Sequence, residues 1–173
     1  MTGIKIDGKI IAQAVKDRVK KAADELKTEG INPCLATVLI GHNAASATYV
    51  KNKHKACEEV GIVTKDHKLN ESVTQQELNN IIDELNADVS VHGILVQLPL
   101  PKHLNEFITT SRISPIKDVD GLTPHNAGLL AMKKAVLVAC TPSGVMEMFD
   151  YHNIELEGKN IVLINRSNLV GKP

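Results

Sequence analysis

From Asp7 the chain reads DGKIIAQAVKDRVKKAADELKTEG, with apolar Ile11, Ala14, Val15, Val19, Ala22 and Leu26 recurring at three- and four-residue intervals. That spacing puts them on one face of an amphipathic helix, and Gly30 supplies a left-handed stop. Leu35 to Ile40 is a short apolar run closed by Gly41, as expected of a strand buried on both faces. Asn43 to Val60 reads as a second helix ending at Gly61, and Ile62 to Leu69 as a second strand. Thr74 and Glu77 form a capping box that opens a third helix with Leu78, Ile81, Ile82 and Leu85 turned inward. Val91 to Leu98 is the most strand-like apolar run in the chain.

Helices and strands alternate without hairpin dipeptides between the strands. This predicts an α/β fold, a parallel sheet covered by helices. Ligands of such sheets bind beyond the carboxyl ends of the strands, which draws interest to the loops after Ile40 and Leu98 and the segment that follows. Pro99 and Pro101 end the third strand, and after a short helical stretch SPIKDVDGLTPHNAG is rich in turn residues. The first domain is expected to occupy 1–121. In the remainder, 122–173, Thr141-Pro142 has the form of a cap followed by a first-turn proline, giving a helix over Pro142 to His152. Asn160 to Asn165 reads as a fresh buried strand leading into RSNLVGKP.

Composition narrows the function classes. Twenty lysines and arginines balance 20 aspartates and glutamates, so no net field attracts nucleic acid or an acidic membrane surface. The apolar fraction of 43% is globular, and no apolar run approaches the ~20 residues of a membrane span. MTGIKIDGKI reaches Lys5 and Asp7 too early for a secretory signal, so the expected compartment is cytoplasmic. Cys34, Cys57 and Cys140 lack C-x-x-C spacing and read as small buried thiols. No H-x-x-x-H pair occurs, and His92 reads as a structural residue, so no metal site is indicated.

Tyr49 and Lys53 lie four positions apart on the second helix, which places a phenol and an amine side by side, about 6 Å apart at Cβ. With Lys51 and Lys55 nearby, the plainer alternative is a solvated helix face. A lysine of reference pKa ~10.4 must be desolvated or set near another cation before it can serve as a base. Gln97 can hold such an amine by its carbonyl without adding charge, and an amide inside GILVQLPLP is costly if unpaired. Asp118 and Asp120 alternate in the turn KDVDG; one carboxylate can accept two N–H donors from an amidine-like ring edge, and the alternative is an ordinary Asp-Gly turn. Asn165-Arg166-Ser167-Asn168-Leu169-Val170-Gly171 lacks the G-x-G-x-x-G fingerprint, yet it still offers backbone donors and a cation to phosphate.

As an ordered set these segments resemble a known family. Ser46-x-x-Tyr49-Val50-x-x-Lys53-x-Lys55-Ala56, then Gly93 to Pro101, then Pro115-x-Lys117-Asp118-Val119-Asp120-Gly121, are similar to the bifunctional methylenetetrahydrofolate dehydrogenase/methenyltetrahydrofolate cyclohydrolases. Cys140-Thr141-Pro142-x-Gly144 and Arg166-Ser167-x-x-Val170-Gly171-x-Pro173 extend the likeness. The resemblance implies a three-layer folate-binding domain followed by the start of a Rossmann-like NADP-binding domain. It implies Lys53 as catalytic lysine, Tyr49 beside the pterin, Gln97 orienting the lysine and Asp120 on the pterin edge. Ser46, Val96, Leu98 and Pro99 would complete the substrate pocket, and Asn165, Arg166, Ser167 and Gly171 would meet NADP. The implied activity is oxidation of 5,10-methylenetetrahydrofolate by NADP and hydrolysis of the methenyl product to 10-formyltetrahydrofolate, in a cytoplasmic homodimer of one-carbon metabolism serving purine biosynthesis.

Two departures stand out. Asn165 replaces a glycine usual in the family, so weakened or altered cofactor binding is expected, tempered by asparagine's tolerance of left-handed backbone. The later strands of the nucleotide domain and the family's glycine-proline-rich motif are absent from these 173 residues, so a truncated chain is expected. A folate-binding or regulatory module without hydride transfer is the competing reading. A Rossmann dehydrogenase for an amino acid or shikimate-like substrate fits VQLPLP and KDVDG less well.

Overall fold

The computed structural model describes residues 5–173. Residues 1–4, the first part of the N-terminal segment read above, lie outside the described residues. The elements run α1 (Gly8–Thr28), β1 (Cys34–Ile40), α2 (Ala44–Glu59), β2 (Val63–Leu69), α3 (Gln75–Ala87), β3 (Gly93–Val96), α4 (Glu106–Arg112), α5 (Pro124–Ala131) and α6 (Cys140–Tyr151).

The three strands form one parallel sheet in the order β2-β1-β3. β1 is central, pairing Cys34 to Ile40 with Val63 to Leu69 on one side and Leu35 to Val38 with Gly93 to Val96 on the other. Alternate side chains of a strand face opposite sides. Ala36, Val38 and Ile40 accordingly join Leu78, Ile82 and Leu85 of α3 in the main core. Thr37 turns the other way, to His54 of α2. The α/β expectation therefore holds, with helices on both faces of a parallel sheet. No described helix is long and apolar enough to cross a membrane.

Several boundaries differ from the sequence reading. Of the α1 stripe only Ile11 is buried, joined by Ala23; Val19 and Leu26 stay more than a third exposed. α1 packs on α2 and α6 and not flat on the sheet, so its neighbours cover less than the whole stripe. β3 spans four residues, matching the four positions at which β1 pairs with it. The turn-rich segment hides a helix, α5, capped by Thr123, whose hydroxyl accepts from the Asn126 amide, with Pro124 in its first turn. The same Thr-Pro signal misleads at Thr141: α6 begins at Cys140, Ala139 precedes it, and no side chain caps it. The expected strand over Asn160 to Asn165 does not form; Ile161, Val162, Leu163 and Ile164 are 60, 87, 60 and 96% exposed. A strand exists by pairing, and no strand among the described residues pairs with this run.

Candidate active site

Asn43 starts α2, its side chain accepting from the Ser46 amide at 3.0 Å. Down the helix, Ser46 and Val50 are buried against the sheet, while Tyr49 and Lys53 form the adjacent stripe. The Lys53 amine lies 4.7 Å from the centre of the Tyr49 ring, a cation–π distance. On its other side it stands 4.0 Å from Asp120 Oδ1, and both side chains are 26% exposed. The sequence-predicted phenol, amine and carboxylate thus converge, with the lysine partly withdrawn from water.

Asp120 reaches that position because KDVDG docks along β3. Ile94 donates from its amide to the Lys117 carbonyl at 2.7 Å, and Ile94 and Asp118 form a parallel bridge. Gly93 permits the approach, since a Cβ there would meet Val119 Cγ1 at 2.4 Å. Lys117 donates to the carbonyls of Leu85, Asn86 and Asp88 at 3.1, 2.8 and 2.8 Å, so this lysine closes the C-terminus of α3. Asp118 is 1% exposed and accepts from the Leu122 and Thr123 amides and the Asn126 side chain. The two carboxylates of the turn therefore divide: Asp118 holds the loop, and Asp120 faces the lysine. Burial pushes the Asp120 carboxyl above the usual aspartate range, with Lys53 and the Cys140 thiol pulling back.

Cys140 was expected among buried thiols, but the residue is exposed at the start of α6. Its sulfur nevertheless sits against the loop, 3.3 Å from the Val119 carbonyl and 3.7 Å from Asp120 Oδ1. Desolvation there, and then the Asp120 charge, push the thiol up, so it stays a protonated donor. Only its place in the motif Cys140-Thr141-Pro142 marked it in the sequence; a lone cysteine says nothing about its neighbour.

Gln97 continues the sheet ladder, its amide donating to the Val38 carbonyl at 2.9 Å. Its Nε2 donates to the Leu98 carbonyl at 2.7 Å, which fixes the amide's orientation because a flipped amide would set two oxygens face to face. Oε1 is buried without a partner, and no bond joins it to Lys53. Such an acceptor is costly to leave unmatched. Leu98 is half-buried, Pro99 is exposed and follows a cis peptide bond, and Val96 is 4% exposed inside the core facing α3. Gln97 and Leu98 stand at the carboxyl end of the sheet, and the KDVDG loop, running parallel beside β3, carries Asp120 to Lys53.

Leu98 also lines an open cleft of ≈ 780 Å³, with Phe107, Gly121 and Leu122 on one side and Asn168 and Leu169 on the other. Of the predicted pocket Leu98 alone lines this cleft, and the 165–171 turn enters it through Asn168 and Leu169. In that turn Asn165 Oδ1 accepts from the Ser167 amide at 2.8 Å, Ser167 Oγ accepts from the Val170 amide at 3.1 Å, and a Cβ on Gly171 would fall 2.3 Å from the Asn165 carbonyl oxygen. Asn165 is not among the positive-φ residues, so it stands there as a hydrogen-bonding turn residue and its tolerance of left-handed backbone is not used. The Arg166 side chain makes no ion pair among the described residues.

Residues 6–120 match the family model described as the tetrahydrofolate dehydrogenase/cyclohydrolase catalytic domain, and 139–173 match that family's NAD(P)-binding domain. The chain is 82% identical over 173 residues to the bifunctional protein FolD of Nitrosopumilus maritimus, covering all of this chain and 60% of that protein. It is 63% identical over 168 residues to the FolD of Cenarchaeum symbiosum, covering 97% of this chain and again 60% of the relative. Among solved structures, the Campylobacter jejuni FolD methylenetetrahydrofolate dehydrogenase/cyclohydrolase superposes with a TM-score of 0.95 at 48% identity, over 96% of this chain and 60% of that one. The Trypanosoma brucei FolD, solved with NADP cofactor and inhibitor, gives 0.93 at 34% identity over 99% and 59%. The 173 residues thus span about 60% of the length of the relatives they match. Matched across the sheet, the KDVDG loop and the turn around Arg166, the chain belongs to the tetrahydrofolate dehydrogenase/cyclohydrolase family.

Proposed function

We propose that this chain carries the catalytic half of an enzyme that oxidises 5,10-methylenetetrahydrofolate with NADP and hydrolyses the resulting methenyl compound to 10-formyltetrahydrofolate. The observation that carries the reading is the Lys53 amine held between the Tyr49 ring and Asp120. In hydrolysis a water oxygen bonds to the bridging carbon of the methenyl cation and the bond from that carbon to N5 breaks; of the water's two protons one goes to N5 and the other leaves to solvent. Lys53 relays these protons, and Tyr49 keeps the amine aimed at the bridge. Asp120 accepts N–H donors from the pterin edge, and the free Gln97 carbonyl accepts from the lysine or the substrate. Leu98 and Pro99 shape the pocket around them, with Ser46 and Val96 buried behind.

The turn at 165–171 suits a phosphate-bearing cofactor: Arg166 brings an exposed cation, Ser167 a hydroxyl, and Gly171 leaves the backbone bare. Asn165, Arg166, Ser167 and Gly171 would hold NADP, which when bound accepts the hydride. The cleft shared by Leu98 and Asn168 supports a substrate and a cofactor meeting in one place. The division of labour falls near Gly121, with folate chemistry before it and cofactor binding after it. The same reading describes a cytoplasmic homodimer of one-carbon metabolism that supplies purine biosynthesis and acts on tetrahydrofolate derivatives. Charge balance gives no reason to expect a nucleic-acid or membrane partner.

In the full-length protein, Lys53→Met should lower the hydrolytic step by about 100-fold or more, the size of a lost general acid or base, and the oxidation step less. Hydride transfer depends chiefly on holding the bridge against the cofactor, which needs no amine. Lys53→Arg should not restore hydrolysis, because a guanidinium stays protonated. Both rates are followed on one preparation, with folate-analogue affinity measured separately; normal hydrolysis in Lys53→Met overturns the assignment.

A further inference from the structure

Beside the lysine stripe of α2 lies a polar cluster with no part in the chemistry above. His54 Nε2 is 2.7 Å from Asp66 Oδ1 on β2 and 3.0 Å from Thr37 Oγ1 on β1, and Thr37 donates to the same Asp66 oxygen at 2.7 Å. Thr37 is 1% exposed. It has one hydroxyl proton, given to Asp66, so the proton shared with His54 sits on Nε2 and the imidazole is a donor to both partners. The triangle is therefore not a nucleophile with its base: the hydroxyl is buried and its proton points away from the histidine.

What the cluster does follows from where it sits. Ser46, Val50 and His54 succeed one another at four-residue intervals along the face of α2 that meets the sheet. Ser46 and Val50 are the only α2 residues fully buried, so little apolar packing fixes the helix about its own axis. Tyr49 and Lys53 each lie one residue before a member of that stripe. An extended lysine tip lies roughly 8 Å from the helix axis, so a turn of about 10° moves it by about 1.5 Å.

We propose, on the basis of the enzymatic reading above, that His54 is a positioning residue for Lys53: by bonding Asp66 of β2 and Thr37 of β1 it sets the rotation of α2, and with it the direction of the lysine amine.

The test uses three variants of the full-length protein. Glutamine places its Nε2 about where histidine does, asparagine imitates only Nδ1, and leucine keeps bulk without a donor. His54→Leu and His54→Asn should lower kcat for methenyl hydrolysis about tenfold with KM nearly unchanged, while His54→Gln stays close to the parent. Rates are taken per folded molecule, with thermal midpoints measured alongside, so that a loss of folded protein is not mistaken for a loss of aim. Equal rates in all three variants, or losses in KM alone, overturn the proposal. A second readout does not depend on the reaction: the rate at which an amine-directed anhydride modifies Lys53, followed by peptide mass spectrometry. It should rise several-fold in the leucine and asparagine variants and not in His54→Gln, as the amine leaves Tyr49 and Asp120. If the parent protein shows neither activity, the enzymatic reading fails and the labelling still decides what His54 does. Labelling that is the same in parent and His54→Leu shows that the cluster does not aim the lysine.

Discussion

Asp118 accepts from the Leu122 amide at 3.1 Å, the Thr123 amide at 2.8 Å and the Asn126 side chain at 2.9 Å. Asp118→Ala removes the acceptor of two buried donors and one part-buried one, and should cost about 3 kcal/mol in denaturant unfolding. Asp120→Asn should act in the opposite sense on stability while it weakens folate-analogue binding. Burial raises the Asp120 carboxyl in the folded chain, so the folded state prefers the protonated form. Below the ordinary value of 3.8 both states are protonated and nothing is lost. As pH climbs past that value the unfolded chain ionises first; the penalty on the folded state grows until its own carboxyl ionises and stays in full above that. The variant should therefore be more stable than the parent at pH 7, with the difference vanishing in acid; a parent as stable as Asp120→Asn at pH 7 contradicts this. The sequence showed two carboxylates in a turn and, by resemblance, favoured Asp120 for the ligand. That Asp118 is a structural clamp was not readable, because its partners come from α5, an element the turn-rich composition concealed.

Elements whose evidence is local were legible. The span of α2, its Tyr49–Lys53 pair, the stripe of α3 and the Thr74–Glu77 box are set by residues within a few positions of one another, and all stand where the spacing put them. What the spacing could not give was contact at long range. Lys117 reads as a member of KDVDG, yet it reaches back about 30 residues in sequence to the last carbonyls of α3, where its charge also meets the negative end of the helix dipole. Lys117→Met keeps length and bulk but removes those bonds, and should cost about 2 kcal/mol. Amide exchange should accelerate in the last turn of α3 and in the 117–121 loop before anywhere else. Unchanged exchange there would mean that Gly93 and the bridge from Ile94 to Asp118 hold the loop without help from the lysine.

At the scale of the whole molecule the two family matches meet unequal fates. The 6–120 match has a closed core: β1 is paired on both edges, α3 covers one face, and Tyr49 and Asp120 converge on Lys53. The 139–173 match contributes α6 and a well-formed turn, but its apolar run at 161–164 lies open to water without a pairing strand among the described residues. Apolar spacing alone suggested a strand there; whether such a run pairs depends on what lies beside it, which a local pattern does not contain. A dinucleotide needs the carboxyl end of a paired strand as well as the Arg166 turn, since an unanchored strand must be ordered at the ligand's expense. The 173-residue chain, prepared alone, should therefore bind a folate analogue with a rise in thermal midpoint, while NADP at the same excess gives none. It should produce no NADPH from 5,10-methylenetetrahydrofolate at a rate above the uncatalysed background. NADP-dependent oxidation by a chain of verified mass would show that the turn around Arg166 holds the cofactor without a sheet behind it.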